Sequence, residues 1–202
     1  RDDVVTPYFA RPVHGRLVAD IHLTCDIARH QVDLQPQITR YAWEEHVTWT
    51  VPDTVLLSRG VDVEPDAVLW LTVDGVPGTV LCGVEADVGT EALASTWTEK
   101  VTRYTAFAEA VADGRFTLPA GVHADSFRVL VVTPSSVRAA NLARMTAEVL
   151  GERPPLFLVT TPDHWTEDSF WNEVWWSAGN GCSPAQGLVN LRSTLATKET
   201  RS

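Results

Sequence analysis

The sequence predicts an α/β domain of three layers built around a mixed sheet. Three observations carry this expectation. A β-hairpin pattern spans residues 66–88, a strand–helix–strand run with short loops spans 127–161, and a helical apolar pattern over 13–32 precedes both. At 202 residues the chain is long enough for one domain with a sizeable core.

Residues 1–12 carry two prolines and no periodicity, and read as an entry segment. From Val13 to Val32 the apolar positions Leu17, Ile21, Cys25, Ala28 and Val32 recur at helical spacing. His14, His22 and His30 fall eight apart on this helix, about 12 Å of rise per step, too far to share one metal. They read as scattered surface histidines. A run of β-formers, Glu45 to Leu57, follows and is broken by Pro52.

The hairpin is the clearest local signal. Asp66 to Asp74 forms one strand, Gly75-Val-Pro-Gly78 the turn and Thr79 to Val88 the return. Gly89 breaks the strand, Thr90 caps a helix running from Glu91 to about Ala112, and Asp113-Gly114 ends it. Phe127 to Thr133 is an almost wholly apolar strand of the kind covered on both faces. A helix from Pro134 through Leu150 and a strand from Leu156 to Thr161 complete a right-handed parallel crossover. Past Pro162, Trp165, Phe170, Trp171, Trp175 and Trp176 suggest an aromatic helix ending at Gly179. Residues 13–178 thus read as one domain, and 179–202 as a loosely ordered tail.

The formal net charge of −10 argues against attachment to nucleic acid by bulk charge, without excluding a site built from metal-binding acids. Cys25, Cys82 and Cys182 show no ligand spacing and support neither a disulfide scaffold nor a zinc site, which points to a reducing, cytoplasmic setting. No apolar run is long enough to span a bilayer, so no membrane partner is expected. Usage rich in Arg, Val and Ala suggests a bacterial, GC-rich source. There is no Gly-x-Ser-x-Gly, P-loop or dinucleotide fingerprint, and Ser135-Ser136 reads as a helix cap rather than a nucleophile.

The hairpin carries the chemistry. Glu85 and Asp87 stand two apart and share a face. With Asp74 opposite Thr79, Asp66 falls opposite Asp87 and Val68 opposite Glu85, so three acids gather at the open end. Opposed carboxylates repel unless one is protonated or a cation lies between them, and an oxygen-preferring Mg²⁺ or Mn²⁺ fits such a site. Equally, Asp66 at a strand start and Asp87 before a glycine fit ordinary caps.

Lysine is scarce. Of sixteen Lys and Arg residues only Lys100 and Lys198 are lysines, and Lys100 alone lies in the folded body. On its helix the apolar stripe of Leu93, Trp97, Val101, Tyr104, Ala108 and Val111 leaves Lys100 about 20° outside its edge. Such a lysine snorkels out or meets anions, and the preceding hairpin supplies three. A buried ion pair without catalysis satisfies the same pattern.

Pro65-Asp66, Glu85-Ala-Asp87 and Lys100-Val-Thr-Arg-Tyr104, in strand–strand–helix order, resemble the PD-(D/E)XK nuclease pattern. The chain most resembles the replication-relaxation family of plasmids and mobile elements. That resemblance rests on the His14 to Val32 helix, Trp43-Glu44-Glu45, Pro65-Asp66-Ala, Glu85-Ala-Asp87-Val-Gly-Thr-Glu91, Lys100 with Tyr104, and Val129 to Pro134 leading to Arg138. It implies a restriction-endonuclease-like core and DNA as the partner, joined by a replication or mobilisation protein or a second copy of the chain. Members often carry an N-terminal winged helix, for which this sequence has no segment.

In the active reading Asp66, Glu85 and Asp87 hold Mg²⁺ or Mn²⁺, and Glu45 is an alternative to Asp87 in completing the shell. Lys100 orients the water, standing in for the lysine that the pattern places where this chain has Asp87, and Tyr104 braces the site. Arg103 and Arg138 are the first candidates for phosphate contact, with Arg144, Arg16 and Arg40 behind them. In the alternative reading the same fold is an inactive DNA- or protein-binding adaptor, with Trp171 and Trp175 offered to a partner.

Overall fold

Alternation along the hairpin strands sorts their side chains into two cores, one on each side of a sheet. The computed structural model describes residues 10–31, 37–51, 61–74, 78–89, 93–114, 124, 126–151, 153, 156–170, 175–178 and 183–186. Among these the elements run α1 (Ala10–His30), β1 (Ile38–Glu45), β2 (Trp49–Val51), β3 (Val61–Val63), β4 (Ala67–Val73), β5 (Thr79–Ala86) and α2 (Leu93–Ala112). They continue with β6 (Ser126–Val132), α3 (Ser136–Leu150), β7 (Phe157–Thr160), β8 (Trp175–Ala178) and β9 (Ser183–Gln186).

Seven strands form one mixed sheet in the order β1-β4-β5-β6-β7-β8-β9, and β2 and β3 pair separately. β1, β4 and β5 are antiparallel neighbours, whereas β5, β6 and β7 run parallel. Parallel neighbours need crossovers, and α2 and α3 supply them. Val68, Trp70 and Leu81 of the hairpin share a core with Trp97, Val101 and Tyr104 of α2 and with Leu142 and Ala143 of α3. Leu69, Leu71 and Cys82 instead pack against Leu17, Ile21 and Cys25 of α1. The fold is therefore mixed α/β, with α1 on one face and α2 and α3 on the other.

The helices start and stop for local reasons. Ser135 caps α3, its hydroxyl accepting from the Arg138 N–H, and Gly151 closes it at φ 59°. Trp97 of α2 donates its buried indole N–H to Thr146 of α3 at 2.9 Å, which fixes the two helices against each other.

Four expectations are corrected. The hairpin register differs by two residues: Thr72 lies opposite Thr79 and Val68 opposite Gly83. A two-residue slip keeps every side chain on its face, so the hydrophobic pattern alone does not distinguish the two registers. Strand β1 begins at Ile38, well before the expected start near Glu45. It is an edge strand with a register irregularity between Ile38 and Arg40 and lacks clean alternation. The aromatic helix is absent from the described part of 162–178: residues 162–170 are turns and bends, and Trp175–Ala178 pair with β7. Aromatic residues suit a strand as well as a helix, and Ser169 bonding back to Thr166 favours a turn. Ser183–Gln186, inside the expected loose tail, extends the sheet as β9. Residues 1–9, Thr90, Glu91, Trp171, Cys182 and 187–202 lie outside the described residues.

Candidate functional site

Glu85 lies one residue from the end of β5, on the α2 face, and is only 2% exposed. Burying a carboxylate there requires partners, and α2 provides two. Lys100 Nζ donates to Oε2 at 2.7 Å, and the Tyr104 hydroxyl donates to Oε1. Lys100 and Tyr104 are one helical turn apart, so a single helix face delivers both. Gly83 clears the space for this. A Cβ at that position meets Tyr104 Cε1 at 3.2 Å and Phe127 Cζ at 3.5 Å. The sequence therefore needs its smallest residue two positions before Glu85.

Burial pushes the Glu85 carboxyl up to about 7. The Lys100 ammonium, and the hydrogen bonds from Lys100 and Tyr104, pull it down, while the nearby Asp66 charge pushes it up further. The outcome is a carboxyl that exchanges its proton near neutrality beside an ammonium. Tyr104 is pushed well above the usual phenol range by burial and by the Glu85 charge, so it stays protonated and donates to Glu85.

Asp66 sits at the bend before β4, and its side chain is 24% exposed. Its backbone N–H donates to Val84 O at 3.0 Å, which ties it to β5 beside Glu85. Its Oδ2 accepts the Ala86 N–H at 2.7 Å, and its Oδ1 lies 3.1 Å from His14 Nε2 of α1. A cleft of about 580 Å³ opens on this side, lined among others by His14, Glu45, His46, Thr48, Glu64 and Asp66. His46, at the β1–β2 turn, takes a left-handed φ of 59°.

Asp87 belongs to a different contact. Arg138 of α3 grips it with two donors, Nε on Oδ2 and Nη2 on Oδ1, the latter at 2.8 Å. The Asp87 N–H bonds Val132 O at 2.9 Å, so this pair staples the end of β5 to β6 and α3. Gly89, at φ 82°, passes close to the Arg138 side chain, where a Cβ meets Cδ at 3.4 Å.

The expected residues thus separate into three groups. Glu85, Lys100 and Tyr104 come together, with Asp66 adjacent across the hairpin. Glu45 lines the same cleft as Asp66 and accepts from the Trp43 indole N–H at 3.1 Å. Asp87 pairs with Arg138. Arg103 bonds Glu99 and Asp62 O. Arg144 bonds Glu148 on its own helix. Arg16 pairs with Asp20. Among the described residues no group of three or more His, Cys, Asp or Glu side chains is arranged to hold a metal ion. The three-acid cluster expected from the hairpin is therefore not assembled. Of the three, Asp66 is the carboxylate at the cleft.

Sequence reasoning missed His14, which the eight-residue spacing marked as a surface histidine. The available signal was its place on the helix rather than its spacing from other histidines. His14 stands three residues before Leu17 and four before Val18, about one helical turn, so it borders the stripe that packs on the sheet. Cys25 and Cys82 are free and buried. Among the described residues no helix is long and apolar enough to cross a membrane. Compared with protein-family models, with curated proteins and with solved structures, the chain gives no match.

Proposed function

We propose that the chain acts on DNA in plasmid or mobile-element replication or relaxation, through a PD-(D/E)XK-like core that hydrolyses phosphodiester bonds with a divalent cation. The observation that carries this reading is the 2.7 Å contact between Lys100 Nζ and Glu85 Oε2. A lysine supplied from the helix meets the hairpin glutamate next to Asp66, where the usual strand lysine is replaced by Asp87. The order of hairpin, helix, parallel strand supports the same reading.

The donor set fits a cation only in part. Asp66 offers a carboxylate to the cleft, Glu85 stands behind it with both oxygens bonded, and Asp87 is committed to Arg138. The chemistry a bound Mg²⁺ or Mn²⁺ supplies there is polarisation of a water and neutralisation of phosphate charge. This chain's residues contribute the rest. Asp66 holds the cation side of the site, and Glu85 accepts or releases a proton near neutral pH. Lys100 keeps Glu85 in place and adds positive charge where negative charge develops on phosphate. Tyr104 fixes the rotamer of Glu85.

A second reading, an inactive DNA- or protein-binding adaptor, draws support from how fully Glu85 and Asp87 are already satisfied by cations within the protein. Incubating supercoiled plasmid with purified native protein and with Asp66→Ala, in Mg²⁺, Mn²⁺ or EDTA, separates the two. The hydrolase reading expects cation-dependent nicking by native protein and none by Asp66→Ala. Plasmid bound in a gel shift with Ca²⁺ but never nicked leaves the adaptor.

A further inference from the structure

We propose that β1 is a docking edge for a second copy of this chain, with the two β1 strands paired antiparallel about a two-fold axis at Ala42. The inference does not rest on the hydrolase reading. β1 ends the sheet on one side, and among the described residues no strand pairs with its outer edge. An unpaired edge offers its backbone N–H and C=O groups to another chain, and proteins blunt such edges with short strands, proline or lysine. The opposite edge is blunted in this way: β9 has four residues and contains Pro184. β1 has eight residues, with no proline, glycine or lysine, and pairs regularly with β4 from Arg40 to Glu45.

The side chains of β1 complement themselves in one register. With Ala42 on the axis, Arg40 falls opposite the partner's Glu44, and Glu44 opposite the partner's Arg40. Directly opposed residues stand about 5 Å apart on one face, and opposite charges there attract. Arg40 and Glu44 are exposed, and neither has an ion-pair partner among the described residues. On the other face Tyr41 falls opposite the partner's Trp43. Both rings are only partly buried, although Arg29 lies over Tyr41 and His22 stacks on Trp43. Aromatic pairs directly across two strands add to the attraction. Moving the axis to Tyr41 or Trp43 sets neither charge against its opposite. Moving it to Arg40 or Glu44 sets like charges together, so charge selects the Ala42 register.

The test is analytical ultracentrifugation of the full chain, from micromolar to several hundred micromolar protein, with folding checked by circular dichroism. Native protein is expected to form a reversible dimer. Arg40→Glu and Glu44→Arg each oppose like charges twice across the axis, and each is expected to weaken dimerisation at least about ten-fold. An equimolar mixture of the two variants restores both opposite pairs, and is expected to dimerise within about three-fold of native protein. The double variant Arg40→Glu/Glu44→Arg is expected to do the same. Net charge alone predicts otherwise, because Glu44→Arg reduces the negative charge of the chain and would strengthen self-association. Native protein that stays monomeric, a dimer that Glu44→Arg leaves unmoved or strengthens, or a mixture that fails to recover overturns the assignment.

Discussion

Glu85 and Asp66 are neighbouring acids on one hairpin, and their surroundings make them different reagents. Glu85 faces α2, is sealed from solvent and takes a donor on each oxygen. Asp66 faces the cleft beside α1, held by one backbone N–H and one histidine. The comparison separates what keeps the hairpin folded from what remains available to a ligand. Burial raises the cost of any change at Glu85, whereas Asp66 is open to exchange.

Removing Lys100 is expected to have the largest effect on stability. Lys100→Ala leaves the Glu85 carboxylate buried without its cation and costs about 3–5 kcal/mol in denaturant unfolding at pH 8. At pH 5 the loss is smaller, because Glu85 is then protonated in the folded protein.

The pH dependence of the native protein follows from the same group. The folded Glu85 carboxyl titrates at about 7 against an ordinary 4.5, so between those values the folded state holds a proton that the unfolded state has released. This group's contribution to stability is fully present below 4.5 and is lost as pH rises through 7, on the order of 3 kcal/mol across that window. Glu85→Gln carries no such proton and is expected to flatten the slope in unfolding curves collected from pH 4 to 8. An unchanged slope removes Glu85 as its source.

Gly83→Ala is expected to cost about 1–2 kcal/mol, since the new methyl sits 3.2 Å from Tyr104 and must displace a ring packed among Phe127 and Phe157. The Tyr104 bond to Glu85 weakens with it, and ultraviolet difference spectra of the tyrosine report the change. Asp66→Ala stands at the other end. It is expected to cost about 1 kcal/mol of stability, the worth of one backbone hydrogen bond, and the hydrolase reading expects it to remove cation binding. Thermal melts alongside Mn²⁺ calorimetry show whether those two effects separate.

Much of this contrast was legible in the sequence, for stated reasons. The hairpin, both crossover helices and the parallel strands β6 and β7 follow from apolar period and turn residues. Lys100 meets Glu85 because a helix stripe fixes which side chains face the sheet. What escaped depended on partners distant in sequence. Asp87 shares the face of Glu85, but nothing local says that Arg138, 51 residues on, takes it. The two-residue register difference preserves every face, so periodicity is silent on it. His14 meets Asp66 only after α1 packs across the sheet, and the bend at Asp66 turns that acid toward α1 despite strand alternation. β1 and β8 escaped because an irregular edge strand and an aromatic strand both lack a clean two-residue period.

The central claim, that Lys100 with Glu85 forms the working half of a hydrolytic site, is tested most directly by nicking of supercoiled plasmid. Rates are compared per folded molecule for native protein, Lys100→Arg and Lys100→Met in Mn²⁺ at pH 8. The account predicts nicking by native protein, a slower rate for Lys100→Arg, and a loss of at least about 100-fold for Lys100→Met. Native protein that never nicks, or Lys100→Met that nicks at the native rate, contradicts it.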